Sequence, residues 1–393
     1  MNNFNFHTPT KILFGKGQIE NLGKEITPYA KKVLLAYGGG SVKKSGLYDK
    51  TVSIFKENSI EFIVLSGIEP NPKIESVRQG VNLCRENKLE AIVAIGGGSV
   101  IDCSKAISAA VGYNGDAWDL LLDSSLITSS IPIFTVLTLS ATGTEMNGNS
   151  VISNMETNQK KALKSPLVKP VCSVLDPEYT CSVSPWQTAS GTADIMSHIF
   201  EVYFSNTKGA MVTDGISEAL LSVCIECGER AFNNPDDYEA RANLMWASSL
   251  AINGLTAAGK AGEPWSCHAM EHQLSAYYDI THGAGLATVT PSWFRFILSD
   301  NTVDKFVSYG VNVWGIDKNL DPFEIANKAI EKTEEFFFDT LKLPRTLKEY
   351  GIDETYLWDM AVKAESEHLN KAVVPLTAND VMKIYKDCLE QKV

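Results

Sequence analysis

No apolar run in this 393-residue chain approaches the roughly 20 residues needed to span a bilayer, so a helical membrane protein is not expected. An excess of positive charge is missing as well. With 35 Lys and Arg against 47 Asp and Glu, the formal net charge is −12, which argues against a nucleic-acid binder or a protein held on anionic membranes. The opening MNNFNFHTPTKILFGKG has no basic stretch followed by an apolar one, so it does not read as a signal peptide. The 8 cysteines lack the spacing of a disulfide framework and suit free thiols in a reducing cytoplasm. Cys224 and Cys227 form one CxxC, but it lies inside the helical apolar text EALLSVCIECGERAF, and a zinc site needs a second pair. Buried small side chains are the expectation there. Internal repeats, low-complexity tracts and long charge runs are absent, and histidine is scarce, with only 6 in the chain.

What is present begins with length. The chain exceeds what one hydrophobic core usually serves, so two domains are expected. From Lys31 onward, apolar β-like runs alternate with glycines and helical patterns. KKVLLAY (31–37) reads as a buried strand ending in Gly38, Gly39, Gly40 and Ser41, and FIVLSG (62–67) as a second. After EPNP (69–72) comes a helix from 73 to 87. AIVAIGGGSVIDCSKAISAAV (91–111) is an apolar strand that runs through Gly96, Gly97, Gly98 and Ser99 into a helix carrying Asp102 and Lys105. IPIFTVLTLSATGTE (131–145) is another buried strand ending in hydroxyl residues, Thr138 among them. Strand, glycine turn and helix in repeated order indicate parallel βαβ units with ligands at the carboxyl ends of the strands. Past Asp176 and Pro177, long helical patterns take over at 185–205, 209–232, 236–258, 264–278, 321–340 and 376–391. The stretch 236–259 is apolar on most of its circumference and reads as a central core helix with its Met, Trp and Leu inside. The expected fold is therefore an α/β, Rossmann-like nucleotide-binding domain over 1–180 and an all-helical, metal-binding catalytic domain over 181–393.

Two features carry chemistry. The first is 96–99 between strand and helix: glycines let a phosphate approach, and a helix N-terminus presents free N–H groups and a positive dipole end. It is neither GxGxxG nor a Walker loop, and a plain tight turn is the bland alternative. The turn at 38–41 repeats the design, so two glycine turns side by side on one sheet edge suit an extended dinucleotide. The second is SPWQTASGTADIMSHIFE (184–201). Ser184 is a natural N-cap, Pro185 suits the first helical position, and Gln187 sits where a capping box wants Glu or Gln. Asp194 and His198 then fall one turn apart on one face. An Asp–His hydrogen bond alone explains such a pair, but His268, His272 and His282 lie within fifteen residues of one another in GEPWSCHAMEHQLSAYYDITHGAG. His268 and His272 share a helix face, with His282 in a glycine-containing turn beyond it. Asp194 with His198, His268 and His282 makes one carboxylate and three imidazoles, a set for Zn²⁺ or Fe²⁺ and too nitrogen-rich for Mg²⁺ or Ca²⁺. His7 and His368 are isolated.

Over nearly its whole length the chain resembles the iron-containing (group III) alcohol dehydrogenases, in particular the butanol dehydrogenase and NADPH-dependent aldehyde reductase subgroup. The resemblance rests on NNFNFHTPTKILFGKG, YGGGSVK, EPNP, AIGGGSVID, TLSATGTE, VLDPEYT, GTADIMSHIFE, MWASSLAINGL and the H…EHxLSA…HGAGLA region. It implies that Asp194, His198, His268 and His282 ligate the metal and that His272 lies close to it without ligating. It implies that Gly97, Gly98 and Ser99 form the pyrophosphate loop, that Gly39 and Ser41 lie near the adenosine ribose, and that Asp102 follows near the nicotinamide. Asn71, Thr138, Asn147, Lys160 and Tyr179 are implied to line the nucleotide, although the Met and Asn of GTEMNGN depart from the commoner wording around Asn147. The expected function is reversible oxidation of short- to medium-chain primary alcohols with NADP(H) and one divalent metal, Fe²⁺ or Zn²⁺, and with His272 as a candidate proton relay. Partners are then a small alcohol or aldehyde and a second copy in a homodimer, in the cytoplasm. A polyol dehydrogenase, a dehydroquinate-synthase-like lyase and a non-catalytic nucleotide sensor are the competing readings.

Overall fold

The computed structural model describes residues 1–262 and 265–390. The first residue of the helix expected at 264–278 and the last of the one expected at 376–391 lie outside the described residues. The chain divides into two compact units, His7–Ser182, and Val183–Val393 together with Met1–Phe6. A boundary at 180 assigns Met1–Phe6 to the first unit. Instead the Met1 ammonium donates to the Lys208 carbonyl at 2.8 Å and the Asn2 N–H to Gly259 O at 2.7 Å, which ties these residues to turns of the second unit.

The first unit runs β1 Lys11–Phe14, α1 Leu22–Ile26, β2 Lys32–Tyr37, α2 Ser41–Lys44, α3 Leu47–Glu57, β3 Glu61–Leu65, α4 Ile74–Asn87, β4 Ala91–Gly96 and α5 Gly98–Ala110. It continues through α6 Asp119–Leu122, β5 Ile133–Leu137, β6 Asn149–Asn154, β7 Gln159–Lys164 and β8 Cys172–Leu175. Six strands make one sheet in the order β1-β8-β5-β4-β2-β3, and all its pairings are parallel. A parallel sheet is covered on both faces, which is why its central strands read as continuous apolar text. Alternate residues Val33, Leu35, Val93, Ile95, Phe134, Val136 and Val174 share one core with Leu22, Ile26, Ile54 and Phe55. β6 and β7 pair antiparallel as a separate hairpin. Neither this hairpin nor β1 and β8 was among the strands expected. β7 reads QKKALK, and β1 is a four-residue edge strand whose Lys11 and Phe14 are exposed and whose Ile12 and Leu13 are half-buried, so neither carries the signal of a central strand.

The second unit is helical: α7 Pro185–Tyr203, α8 Met211–Asn233, α9 Tyr238–Ile252, α10 Ser266–Tyr278, α11 His282–Ile297, α12 Val303–Asn312, α13 Pro322–Glu334, α14 Leu357–Glu365 and α15 Ala378–Glu390. After α13 the chain continues as a widened π-type turn over Glu335–Thr340. The central helix is α7, buried at every position from Thr188 to Tyr203. The stretch expected to be the core helix, α9, stops at Ile252, where Asn253 Oδ1 accepts from Leu255 N and Gly254 adopts φ 99°, and its Trp246 is exposed. Cys224 and Cys227 are buried among α8's core residues, and the cysteines are free thiols. No helix among the described residues is long and apolar enough to cross a membrane.

Candidate functional site

In the second unit, Ser184 Oγ accepts from Gln187 N at 3.3 Å, so the expected cap opens α7 behind Pro185. Two and three turns on, Asp194 and His198 face the same way, with His198 Nε2 3.5 Å from Asp194 Oδ1. Helix α10 brings His268 Nε2 to 3.9 Å from the same oxygen, and His282 Nε2 reaches it at 3.8 Å. His282 was expected in a turn, but it is the first residue of α11. The glycines that mask this helix in the sequence are what let it approach: a Cβ on Gly283 would lie 1.9 Å from Ser190 O and 3.2 Å from Asp194 Cβ. Donor atoms bound to one ion at about 2.0–2.1 Å in a tetrahedron lie about 3.4 Å apart; the donor atoms of Asp194, His268 and His282 all lie within 4.8 Å of one another, while His198 joins them through its approach to the Asp194 oxygen. His268 Nε2 is buried without a hydrogen-bond partner, an orphan atom that a cation satisfies.

Outside this cluster stand two buried carboxylates. Glu201 Oε1 accepts from His268 Nδ1 at 2.6 Å and from the His268 backbone N–H at 2.9 Å. Glu271 accepts from His282 Nδ1 and from the Ser275 hydroxyl through very short contacts. Burial, with His268 and His282 as neighbours, holds His198 well below the usual imidazole range. For His268, burial acts downward, but the Glu201 hydrogen bond together with Glu201, Asp194 and Glu271 outweighs it and raises the value. His272 is half-buried, its ring 5.5 Å from that of His282 and 6.0 Å from that of His268. Trp265, at φ 52°, sets its ring edge-on to His198 and His268 at 5.9 and 5.1 Å, an apolar wall beside the cluster.

In the first unit β2 and β4 are neighbours, with Tyr37 opposite Ile95, so the turns that follow them lie side by side. β5 flanks β4 on the other side, where Thr138 N donates to Gly96 O at 3.1 Å. Gly97 and Gly98 open α5, with Ser99 in its first turn; a Cβ on Gly98 would come within 2.6 Å of Thr142. Gly39 and Ser41 are exposed, and a Cβ on Gly39 meets nothing within 4 Å. Gly39 is not among the positive-φ glycines, so no backbone requirement holds it as glycine. Asn71, at φ 48°, accepts through Oδ1 from Lys160 Nζ at 3.1 Å, joining the EPNP loop to β7. Tyr179 is half-buried against the sheet core, and burial pushes its hydroxyl up to about 12.

Two of the expected nucleotide residues are also hydrogen-bonded within the first unit. Asp102 is buried, its oxygens accepting from Thr144 Oγ1 at 2.5 Å and Val151 N at 2.9 Å. Asn147 Nδ2 donates to Gly143 O at 3.0 Å, and its Oδ1 accepts from Asn149 N at 2.8 Å and Lys105 Nζ at 3.0 Å. Lys105, fully buried, also donates to Thr144 Oγ1, Asn147 O and Asn149 O at 2.7–2.9 Å. Burial pushes it down to about 7 against the opposing pull of Asp102. Asp102 and Asn147 therefore brace α5 against the 142–151 segment.

Residues 9–177 match the iron-containing alcohol dehydrogenases, and residues 188–389 match the C-terminal part of the Fe-containing alcohol dehydrogenase family. The chain belongs to the iron-containing alcohol dehydrogenase family. Within it, this family member is 55% identical over 388 residues to the NADH-dependent butanol dehydrogenase A of Clostridium acetobutylicum, covering 98% of this chain and 99% of that one. It is 41% identical over 371 residues to the NADPH-dependent aldehyde reductase YqhD of Escherichia coli, covering 94% of each. The crystal structure of a butanol dehydrogenase A from Thermotoga maritima superposes with a TM-score of 0.94 at 38% identity, covering 99% of both chains. The chain is thus an oxidoreductase of the butanol dehydrogenase and aldehyde reductase subgroup, a family that implies a nicotinamide cofactor and an iron-type metal.

Glu201, Glu271, Lys105 and Trp265 enter the neighbourhood of these sites only through the fold. The signal for Glu201 was legible: it stands seven residues after Asp194 and three after His198, on the same helical face. Glu271 falls between His268 and His272 in the same way.

Proposed function

We propose that this enzyme interconverts short- to medium-chain primary alcohols and aldehydes, of the butanol and butanal type, with NADP(H) and one divalent cation, Fe²⁺ or Zn²⁺. The observation that carries the proposal is the convergence of the Nε2 atoms of His198, His268 and His282 on one Asp194 oxygen at 3.5–3.9 Å. One carboxylate and three imidazoles fit either ion. When bound, such a cation polarises an alcohol or aldehyde oxygen as a Lewis acid, while the nicotinamide exchanges hydride with the carbon. The chain's own residues do the rest. Asp194 and the three histidines fix the cation, Trp265 shields one side of the cluster from water, and half-buried His272 passes the hydroxyl proton to solvent. On the first unit, Gly97, Gly98 and Ser99 receive the pyrophosphate at the N-terminus of α5. Gly39 and Ser41 receive the adenosine ribose, and Asn71, Thr138, Lys160 and Tyr179 border the nucleotide. Asp102 and Asn147 act from behind by bracing that helix. A lyase acting on an anionic substrate would want cations near the cluster, and 262–285 contains neither lysine nor arginine.

The proposed preference for NADP(H) rests on Gly39. An acidic residue at such a turn accepts from the ribose hydroxyls and repels a 2′-phosphate. Here there is no side chain, and Ser41 with Lys44 offers donors to that phosphate. Lys43, in contrast, leans over the Tyr37 and Tyr48 rings at 5.6 and 5.2 Å. A second reading, NADH, is favoured by the name of the 55%-identical relative, an NADH-dependent enzyme. A panel of C3–C6 aldehydes with NADH and NADPH, each with Zn²⁺, Fe²⁺ or chelator, tests both readings. The proposal expects turnover of butanal, lost with chelator, and kcat/KM at least about tenfold higher with NADPH, upwards of about 1.4 kcal/mol. Stoichiometric metal without turnover of any of these aldehydes would contradict it. A homodimer in the cytoplasm completes the proposal, with the mass in solution measured by light scattering.

A further inference from the structure

We infer that Glu201 and Glu271 are positioning residues that set how tightly the centre holds its cation, each through one histidine. The inference rests on the reading of Asp194, His198, His268 and His282 as ligands. Glu201 is almost completely buried, and its Oε1 accepts both N–H groups that His268 offers it, at 2.6 and 2.9 Å. Its other oxygen, Oε2, is buried with no hydrogen-bond partner. A buried carboxylate with so little compensation is costly unless positive charge lies close by. A divalent cation one imidazole away supplies that charge. The contact also fixes the proton on His268 Nδ1, which leaves the Nε2 lone pair directed at the Asp194 oxygen.

Glu271 repeats the arrangement from a different element. It lies on α10, three residues after His268, and accepts from Nδ1 of His282 at the start of α11. Ser275 donates to its other oxygen and fixes the carboxylate in turn. Gly285 leaves the room it needs, since a Cβ there would lie 3.0 Å from Glu271 Cγ and 3.2 Å from its Oε1. Each carboxylate thus serves one histidine, and His282 is the more exposed of the two, its side chain 22% accessible against 8% for His268.

The test is competition for Zn²⁺ between the full-length protein and a chelator of known affinity, in the parent and in Glu201→Gln, Glu271→Gln and Ser275→Ala. Visible absorption of the Co²⁺-loaded proteins reports the coordination geometry alongside. Glutamine keeps the size and one acceptor but loses the charge. The inference expects each glutamine variant to bind Zn²⁺ about 10- to 100-fold more weakly, Ser275→Ala to fall between parent and Glu271→Gln, and the Co²⁺ band to shift. Metal-free melting temperatures should stay within a few degrees of the parent. Variants that bind Zn²⁺ within about twofold of the parent, with an unshifted Co²⁺ band, would overturn it. So would melting losses in the metal-free protein with affinity unchanged, since that marks a purely structural role. A parent that takes up no stoichiometric metal overturns the reading of the centre itself, and this inference with it.

Discussion

At the scale of single residues, two positions separate alternatives that geometry leaves side by side. Gly39 has no positive φ, and a Cβ there would have no neighbour within 4 Å, so Gly39→Asp introduces charge without backbone strain. If this position selects the cofactor, the variant's kcat/KM ratio of NADPH to NADH should fall by about tenfold or more. A ratio that does not move would show that the selector lies elsewhere. His272 faces a similar choice. It lies beside His282 and Glu271, its donor atoms within 4.8 Å of theirs, but it is outside the group formed by Asp194, His268 and His282. General acid–base catalysis of this kind typically contributes about 10²–10⁴-fold. His272→Ala should therefore slow turnover and displace the pH–rate profile while metal content stays at the parent level. Loss of metal in that variant would make it a ligand or a structural support instead.

At the scale of elements, the close approach of α11 to α7 is the feature on which the histidine cluster depends. Gly283→Ala places a methyl 1.9 Å from the Ser190 carbonyl, a backbone atom that cannot swing aside. Overpacking of this kind costs about 1–3 kcal/mol, and it moves His282 away from Asp194. Thermal unfolding and metal titration of the variant should both show losses. In the other unit, Glu90 precedes β4 and ties it to β2, its Oε2 accepting from Lys31 N at 2.6 Å and Lys32 N at 3.0 Å. Those backbone donors hold its carboxyl below the usual value of 4.5. A lowered folded value means that the contribution is complete above pH 4.5 and fades as pH falls through the folded value. Glu90→Gln should therefore be less stable than the parent at neutral pH, and the gap should narrow as pH drops below 4.5. A gap independent of pH would deny the carboxylate that role.

Elements also account for what was legible beforehand. β2, β4, β5 and the paired glycine turns stand out because a parallel sheet, buried on both faces, leaves uninterrupted apolar text before each turn, whereas interior β8 is only the four residues CSVL. β1 has only four residues, and the six-residue strands of the β6–β7 hairpin read NSVISN and QKKALK, so no uninterrupted apolar text sets them apart. Helix α11 was hidden because Gly283 and Gly285 weaken the helical signal at the very positions where close packing requires them. Asp194, His198, His268 and His282 were visible by residue type and spacing. Glu201 and Glu271 share that helical spacing, but a glutamate on a helix is ordinary until the fold buries it beside an imidazole. Asp102 and Asn147 stand out in the sequence by motif position alone, and the fold adds their contacts with Lys105, Thr144 and Val151.

At the scale of the whole molecule, a cation held as proposed by residues of α7, α10 and α11 is both a catalytic and a structural partner of the helical unit. Binding to the folded state alone stabilises by mass action, about 2.7 kcal/mol at a free concentration 100 times Kd. Stripping the metal should accordingly lower the melting temperature as well as the activity. The most direct measurement is therefore a titration of chelated, metal-free protein with Zn²⁺ or Fe²⁺, following butanal reduction, bound metal and melting temperature together in the parent, Asp194→Ala and His268→Ala. All three quantities in the parent are expected to rise together and saturate at one ion per chain, with neither variant recovering metal or activity. Full butanal reduction by the metal-free parent, or a fully active Asp194→Ala, would contradict that expectation.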